Sequence, residues 1–371
     1  MLVIGEASGD IHGAQLAEAL LQRDSGLSLF GVAGECLQCL PFERLVDVSQ
    51  LSGMGLTELA GNLRSVWVAY RILRRALRER RPNLLVLIDF PDFNLRLAKY
   101  AKRLGIPVLY YISPQIWAWR RGRVRQVARW VDRMAVVFPF EAAFYESHGV
   151  KVSFVGHPLL DTVRASEPRE KLLAGLALDA QKPVIALLPG SRRQEVAYHL
   201  PVMLRAAAAL RRERELQFLC VRASTVDRSV LESACKASGI DIRIVERSRY
   251  DAVNAADLVW TASGTATLET ALLLRPMIIV YRLSWLTYWL ARLLVRVEHV
   301  GMVNLMAGER VVPELIQGEL KAERLLEESR RILDRPDIRA DMVEKLAKLK
   351  ENLGSPGAAG RVADMAIAMM A

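Results

Sequence analysis

The chain alternates short, almost continuous apolar runs with longer amphipathic stretches. Leu2–Ile4, Leu84–Ile88, Val108–Ile112 and Met134–Phe138 are the clearest runs in the first half. Val184–Leu188, Gln217–Val221, Ile242–Val245, Leu258–Thr261 and Met277–Tyr281 follow in the second. A strand apolar on both faces must be covered on both, which predicts parallel sheets flanked by helices. Between the runs, stretches such as Asn62–Arg80 and Pro201–Arg214 carry helical periodicity. This order predicts an α/β chain of doubly wound, Rossmann-like units.

The rhythm pauses around Gly156–Pro168, where His157-Pro158, Ser166 and Pro168 mark a linker, and then begins again. Two domains are therefore expected, residues 1–165 and 166–345, with a helical tail over 346–371. A length of 371 residues also exceeds one ordinary domain. Two Rossmann-like domains facing across a cleft describe the architecture called GT-B. Gly354-Ser355-Pro356-Gly357 breaks the tail, and Val362–Met370 resumes as a short apolar helix. That helix has two candidate docking surfaces: the first domain, or a partner subunit in a homodimer.

The formal net charge of +10 attracts anionic partners such as acidic lipid, nucleic acid or phosphorylated substrates. No zinc finger, helix-turn-helix or RNP-like motif accompanies that charge, so nucleic acid is not an expected partner. Cys36 and Cys39 form one C-x-x-C, but Cys220 and Cys235 supply no matching pair, so neither a zinc site nor a disulfide framework is expected. Free thiols in a reducing compartment fit better. No basic segment precedes the first apolar run, so export is not expected and the location reads as cytoplasmic.

Candidate chemistry gathers just beyond the predicted strands. Gly5-Glu-Ala-Ser-Gly-Asp-Ile-His-Gly13 leads from a strand into a helix, but its glycines fit neither G-x-G-x-x-G nor the Walker A pattern. Ser8 or Asp10 suits an N-cap there; alternatively Glu6, Ser8 and Asp10 meet sugar hydroxyls, since their acids would repel phosphate. Asp89 ends an apolar strand, where ligands bind open α/β sheets, and Phe90 and Phe93 flank it. A partly desolvated carboxylate there suits a general base, whereas Asp92 or Asn94 suits a helix cap. Ser113-Pro-Gln-Ile-Trp-Ala-Trp-Arg120 places Gln115, Trp117 and Arg120 past another strand, as a sugar-stacking platform or a packed aromatic loop.

In the second half, Gly190 and Ser191 offer amides beside the cation of Arg192, a set suited to phosphate. Ser263, Gly264 and Thr265 open a helix that could hold a diphosphate, and Glu269 lies one turn on for ribose hydroxyls. The same small residues are also ordinary capping chemistry. Tyr281–Asn304 sets Trp285, Trp289 and several leucines among Arg282, Arg292 and Arg296. It is shorter than the ~20 apolar residues that a span requires. A segment lying in a membrane interface and a buried amphipathic helix both fit. Asn62–Arg81 adds a basic helix with seven arginines.

Read together, GEASGDIHG, IDFPDFNL, YYISPQIWAWR, VGHPLLD, LPGSRRQEV, SGTATLE and YRLSWLTYWLARLLVRVEHVGMVNLMAGERVVPELIQ resemble the lipid-A-disaccharide synthase family, in order from the start to about Gln317. The resemblance implies a GT-B enzyme, peripheral on the inner membrane, that inverts at the anomeric carbon and needs no cofactor or tightly held metal. UDP-2,3-diacylglucosamine would donate its sugar to 2,3-diacylglucosamine 1-phosphate, giving a β-1,6 disaccharide 1-phosphate and UDP. By position, Asp89 would be the base, Arg192 would stabilise departing UDP, and Asn304 would match the family's essential asparagine. Ser263, Gly264, Thr265 and Glu269 would hold the diphosphate and ribose. Val303, where relatives often carry proline, and Gly308-Glu309-Arg310 depart from the pattern. A UDP-N-acetylglucosamine 2-epimerase of the same fold and a non-catalytic basic module are the alternatives.

Overall fold

The computed structural model describes residues 1–51, 59–119, 121–284, 288 and 299–370. Arg120 and most of the 285–298 stretch, with Trp285, Trp289, Arg292 and Arg296, lie outside the described residues. The chain divides into two compact units: Met1–Asp161 with Leu353–Ala371, and Thr162–Asn352.

Unit 1 is built on β1 (Leu2–Val3), β2 (Leu29–Ala33), β3 (Phe42–Asp47), β4 (Leu85–Ile88), β5 (Val108–Tyr111), β6 (Arg133–Val136) and β7 (Val152–Phe154). They form one sheet in the order β3-β2-β1-β4-β5-β6-β7, and the paired strands run parallel. Strands β1, β2, β4 and β5 are buried throughout, as apolar runs covered on both faces must be.

Unit 2 repeats the plan with β8 (Val184–Leu188), β9 (Gln217–Val221), β10 (Ile242–Val245), β11 (Leu258–Ala262), β12 (Met277–Tyr281) and β13 (Glu314–Ile316). Their order is β10-β9-β8-β11-β12-β13, again parallel. In each sheet the strand order reverses beside the unit's first strand, between β1 and β4 and between β8 and β11. Such switch points open a crevice beyond the strand ends.

The strands without a clear sequence signal are β2, β3, β7 and β13. Gly31 interrupts β2 because the backbone of Leu2 passes it: a Cβ there would lie 1.9 Å from the Leu2 carbonyl oxygen. The edge strand β3 carries Glu43 and Arg44 outward, and β7 and β13 have three residues each, too few to show a period. The helix expected to start at Pro201 instead spans Arg193–Glu213 and runs through that proline. Pro201 lies on the exposed face, where water can satisfy the carbonyl that it leaves unpaired.

The final helix, Ala358–Met370, joins unit 1. Arg23 of the Ala7–Arg23 helix binds Asp364 at 2.5 Å and donates to the Gly360 carbonyl at 2.8 Å. Arg361 donates to the Val155 carbonyl at 2.8 Å. In the single chain this helix packs on unit 1, the first of the two docking surfaces expected for it. The preceding helix, Pro336–Asn352, stays with unit 2, where Lys350 donates to the Leu272 carbonyl at 3.0 Å. No helix among the described residues is long and apolar enough to cross a membrane.

Trp260 is the largest fully buried side chain of β11, and its indole donates to Ser329 Oγ at 3.0 Å. Trp260→Ala is expected to cost about 3–5 kcal/mol, read as an earlier urea transition. Trp260→Phe should lose less: the Ser329 hydroxyl gives up the indole donor but keeps its own bond to the Leu325 carbonyl at 2.6 Å.

Candidate active site

The first switch point places Asp89 directly beyond β4. Asp89 and Phe90 are consecutive non-glycine residues at φ 49° and 51°. Side chains disfavour this left-handed region by roughly 1–2 kcal/mol each, so neighbouring groups must hold the turn. Asn94 Nδ2 donates to the carbonyls of Asp89 at 2.7 Å and Ile88 at 3.2 Å. The Tyr110 hydroxyl donates to the Asp89 carbonyl at 2.5 Å. The Asp89 amide donates to the Tyr111 carbonyl at 3.3 Å, extending the sheet into the turn. Gly5 keeps space open: a Cβ there would fall 2.2 Å from Phe90 Cβ.

The result is a half-buried carboxylate at the strand end. Burial raises the Asp89 carboxyl above the ordinary value, the Phe90 amide opposes that shift, and the negative Glu6 adds to it. Glu6 and Ser8 are exposed at the mouth of the first loop.

Asp10 corrects an expectation. It is 4% exposed, and its oxygens accept the amides of Gly34 and Cys36 at 2.8 Å each and of Leu37 at 3.3 Å. It caps the Glu35–Gln38 helix, not its own, and its oxygens are taken up by these amides. Its own helix starts after Glu6 without a side-chain cap. Asn94 is likewise fully buried, and its amide is spent on bracing the Asp89 turn. Asp92 does not cap its helix; it pairs with Arg123.

Trp117 is another correction. It lies buried against Phe140, with ring centroids 4.9 Å apart, and its indole donates to Glu141 at 3.0 Å. It anchors the loop, leaving Gln115 exposed among the described residues there. Glu141 itself is 1% exposed and also accepts from Ser113 Oγ at 2.5 Å and the Phe138 amide at 3.3 Å. Burial pushes its carboxyl up to about 7, against the opposing pull of these donors. Its only trace in the sequence is a lone acid in the otherwise apolar 134–145 stretch.

At the second unit's switch point, Gly190 follows β8 at φ 130°. The amides of Ser191 and Arg192 both donate to one oxygen of Glu195, at 2.9 and 3.2 Å. The nest expected to cradle phosphate through Gly190 and Ser191 is therefore filled by the chain's own carboxylate. A Gly190 Cβ would lie 2.5 Å from Glu195 Cβ, so the glycine makes room for that carboxylate. Arg192 stays exposed and carries no ion pair among the described residues, which leaves its cation for an anion.

Beyond β11, Gly264 and Thr265 are exposed at the start of the Thr265–Leu272 helix; the Thr267 amide donates to the Gly264 carbonyl at 3.1 Å, and the earlier amides are those a helix start leaves without an intrahelical partner. Ser263 is half-buried, and its amide belongs to the sheet through the Val280 carbonyl. Glu269, one turn on, is 8% exposed and pairs with Arg249, with the Tyr250 hydroxyl at 3.2 Å. Burial raises its carboxyl, while Arg249 and then Tyr250 pull it down. Arg249 and Tyr250 escaped the sequence reading, although they follow β10 at a strand end like every other candidate.

Asn304 requires the same correction as Asn94. It is fully buried; Nδ2 donates to the Val312 carbonyl at 2.8 Å and to Glu314 at 2.7 Å, and Oδ1 accepts the Val312 amide at 2.9 Å. Glu314 also accepts the amides of Val300 and Gly301, at 3.1 and 3.0 Å. In the structure Asn304 therefore holds the 300–312 segment together through its internal bonds.

Two parallel α/β units, each with loop-borne polar groups at its switch point, define the GT-B class of fold. Solved structures share it: a glycotransferase of kitacinnamycin (TM-score 0.69, 14% identity, covering 100% of this chain and 98% of that one), and a UDP-GlcNAc 2-epimerase from Neisseria meningitidis bound to UDP-GlcNAc (TM-score 0.64, 11% identity, 100% and 98%). At such identities the likeness is one of fold. The family model for lipid-A-disaccharide synthetase matches residues 1–356. The lipid-A-disaccharide synthases of Syntrophus aciditrophicus and Geobacter metallireducens are 46% and 47% identical, each match covering the whole chain and 97% of the relative. The chain belongs to the lipid-A-disaccharide synthetase family and is a glycosyltransferase.

Glu141 makes a pH prediction. Its folded value, about 7, lies above the ordinary glutamate value of 4.5. The folded state therefore holds a proton that the unfolded state has released between those values. Its contribution to stability is complete below 4.5 and is lost as pH rises through about 7. Glu141→Gln should remove that decline. The difference between wild-type and variant urea midpoints should change between pH 4.5 and 7 and level off outside that window; a constant difference would refute the assignment.

Proposed function

We propose that the chain joins UDP-2,3-diacylglucosamine to 2,3-diacylglucosamine 1-phosphate at a membrane surface, with inversion at the anomeric carbon. The observation that carries the mechanism is the half-buried Asp89 carboxylate in its braced left-handed turn beyond β4. Membership of the lipid-A-disaccharide synthetase family supports the choice of substrates.

In this reading unit 1 serves the acceptor. Asp89 removes the proton from the acceptor's 6-hydroxyl as that oxygen attacks C1 of the donor sugar. The bond from C1 to the diphosphate oxygen breaks, and its electron pair leaves with UDP. A single displacement of this kind inverts C1. Glu6, Ser8 and Gln115 offer exposed polar groups for the acceptor's hydroxyls.

Unit 2 serves the donor. Arg192 meets the negative charge that builds on departing UDP, a task suited to a fixed cation. The Thr265 hydroxyl and the first amides of its helix favour the diphosphate. Glu269 accepts the ribose hydroxyls through the oxygen that Arg249 and Tyr250 leave available. With the amide nest filled by Glu195, donor phosphate relies on Arg192 and the Thr265 helix start. Asn94 and Asn304 act by holding loops.

An assay with labelled UDP-diacylglucosamine and the lipid acceptor tests the reading: UDP release without disaccharide would refute it. Asp89→Ala is expected to lower kcat about 10²–10⁴-fold, and undiminished turnover would remove Asp89 as base. Since a base works deprotonated, kcat/KM should fall as pH drops through Asp89's raised value. Glu6→Gln removes a repelling charge, so the acidic limb should move to lower pH; an unmoved limb would exclude the Glu6–Asp89 coupling.

A further inference from the structure

The sequence puts Arg96, Lys99 and Arg103 at i, i+3 and i+7 of the Pro91–Arg103 helix, a spacing that gathers them on one face. That face borders a groove of about 440 Å³ in unit 1, closed on its other sides by Arg74 and Trp130 of neighbouring helices. This volume falls within the range of small-ligand sites, roughly 300–1,000 Å³.

The groove's charge is unbalanced. Arg74, Arg96, Lys99 and Arg103 have no carboxylate partner among the described residues; Asp92, the acid of the lining, pairs with Arg123. Aromatic faces fix two of the cations without neutralising them. The Arg74 guanidinium lies 4.1 Å from the Tyr100 ring centroid, and the Lys99 ammonium 5.4 Å from that of Trp130. Four unpaired cations around one concavity repel one another, so an anion that enters relieves that repulsion. Guanidinium forks suit phosphate oxygens in particular.

One wall points to the source of the phosphate. On the Leu59–Arg80 helix, Trp67, Arg71 and Arg74 share a face at i, i+4 and i+7. Trp67 is 57% exposed with Arg71 over its ring at 4.7 Å, and Val68 and Ile72 are 41% and 38% exposed beside it. A basic groove continuous with exposed tryptophan and aliphatic side chains matches the boundary between lipid headgroups and acyl chains. We propose that this groove binds the phosphate of an anionic phospholipid headgroup in the membrane surface. The proposal rests on the reading that the enzyme works at such a surface.

The test is sedimentation with vesicles of pure phosphatidylcholine or of phosphatidylcholine containing phosphatidylglycerol. Wild-type chain should bind the anionic vesicles preferentially. Arg96→Glu with Lys99→Glu should weaken that binding at least tenfold, with an unchanged thermal midpoint to confirm folding. Arg125→Glu with Arg129→Glu alters the same charge in the same unit outside the groove lining, and should weaken binding less than threefold. Should the glutamate pair disturb folding, Arg96→Gln with Lys99→Gln should show the same ranking. Equal losses in the groove and control variants would overturn the site, because the attraction would then be diffuse. Equal binding to both vesicle types, or release of bound chain by millimolar inorganic phosphate, would also overturn it. Disaccharide synthesis in neutral detergent micelles separates the two ideas: a groove variant that turns over normally there leaves the synthase reading intact, whatever the vesicles show.

Discussion

Much of unit 1's chemistry depends on one strained peptide turn. Asp89 and Phe90 occupy a backbone region that costs each of them energy, and they sit where β4 must hand the chain to a helix. A relaxed turn would point the Asp89 carboxylate elsewhere. The restraint comes from three separate elements: Asn94 from the following helix, Tyr110 from β5, and the empty space of Gly5 beyond β1. The carbonyl of Asp89 takes the bracing hydrogen bonds, which leaves the carboxylate free for chemistry. Burial of that carboxylate is then a consequence of the turn, and so is its raised proton affinity.

Buried acids recur through both units with different partners, and the partner sets the role. Asp10 meets three amides and becomes a cap; Glu141 meets a serine, an indole and an amide and becomes a loop anchor. Glu269 meets a cation and a phenol on one oxygen only, so it keeps capacity for a ligand. Asp89 differs from the other three in that its own backbone carbonyl takes the bracing bonds, while its carboxylate meets the Phe90 amide and no side-chain donor among the described residues. That asymmetry separates a candidate base from structural acids.

The fold was legible because parallel strands buried on both faces leave uninterrupted apolar runs. The boundaries of β8, β9, β10 and β12 could be read directly from such runs. Strands β3, β7 and β13 were not, since an edge position or a length of three residues removes the signal. Strand ends pointed to the site loops, because ligands gather there for reasons of topology. Individual roles were less legible. Asp10, Asn94, Trp117 and Asn304 sit in motifs of the right kind, yet internal polar partners turn them inward. Those partners lie 24, 5, 24 and 8 residues away, and no local pattern encodes the distant pairs.

The filled nest after β8 bears on how such a site handles phosphate. A strand-to-helix turn normally offers its amides to an anion, and here that anion is Glu195, three residues past Arg192. A phosphate entering the same nest would have to displace a carboxylate held by two amides, and the displaced charge would remain nearby to repel it. Binding beside the nest avoids that cost. Under the proposed mechanism Arg192, exposed and without an ion pair among the described residues, would meet such a phosphate from beside the nest and gain most as charge builds on the leaving oxygen. A stabiliser of that kind acts on the rate of transfer more than on the affinity for the donor.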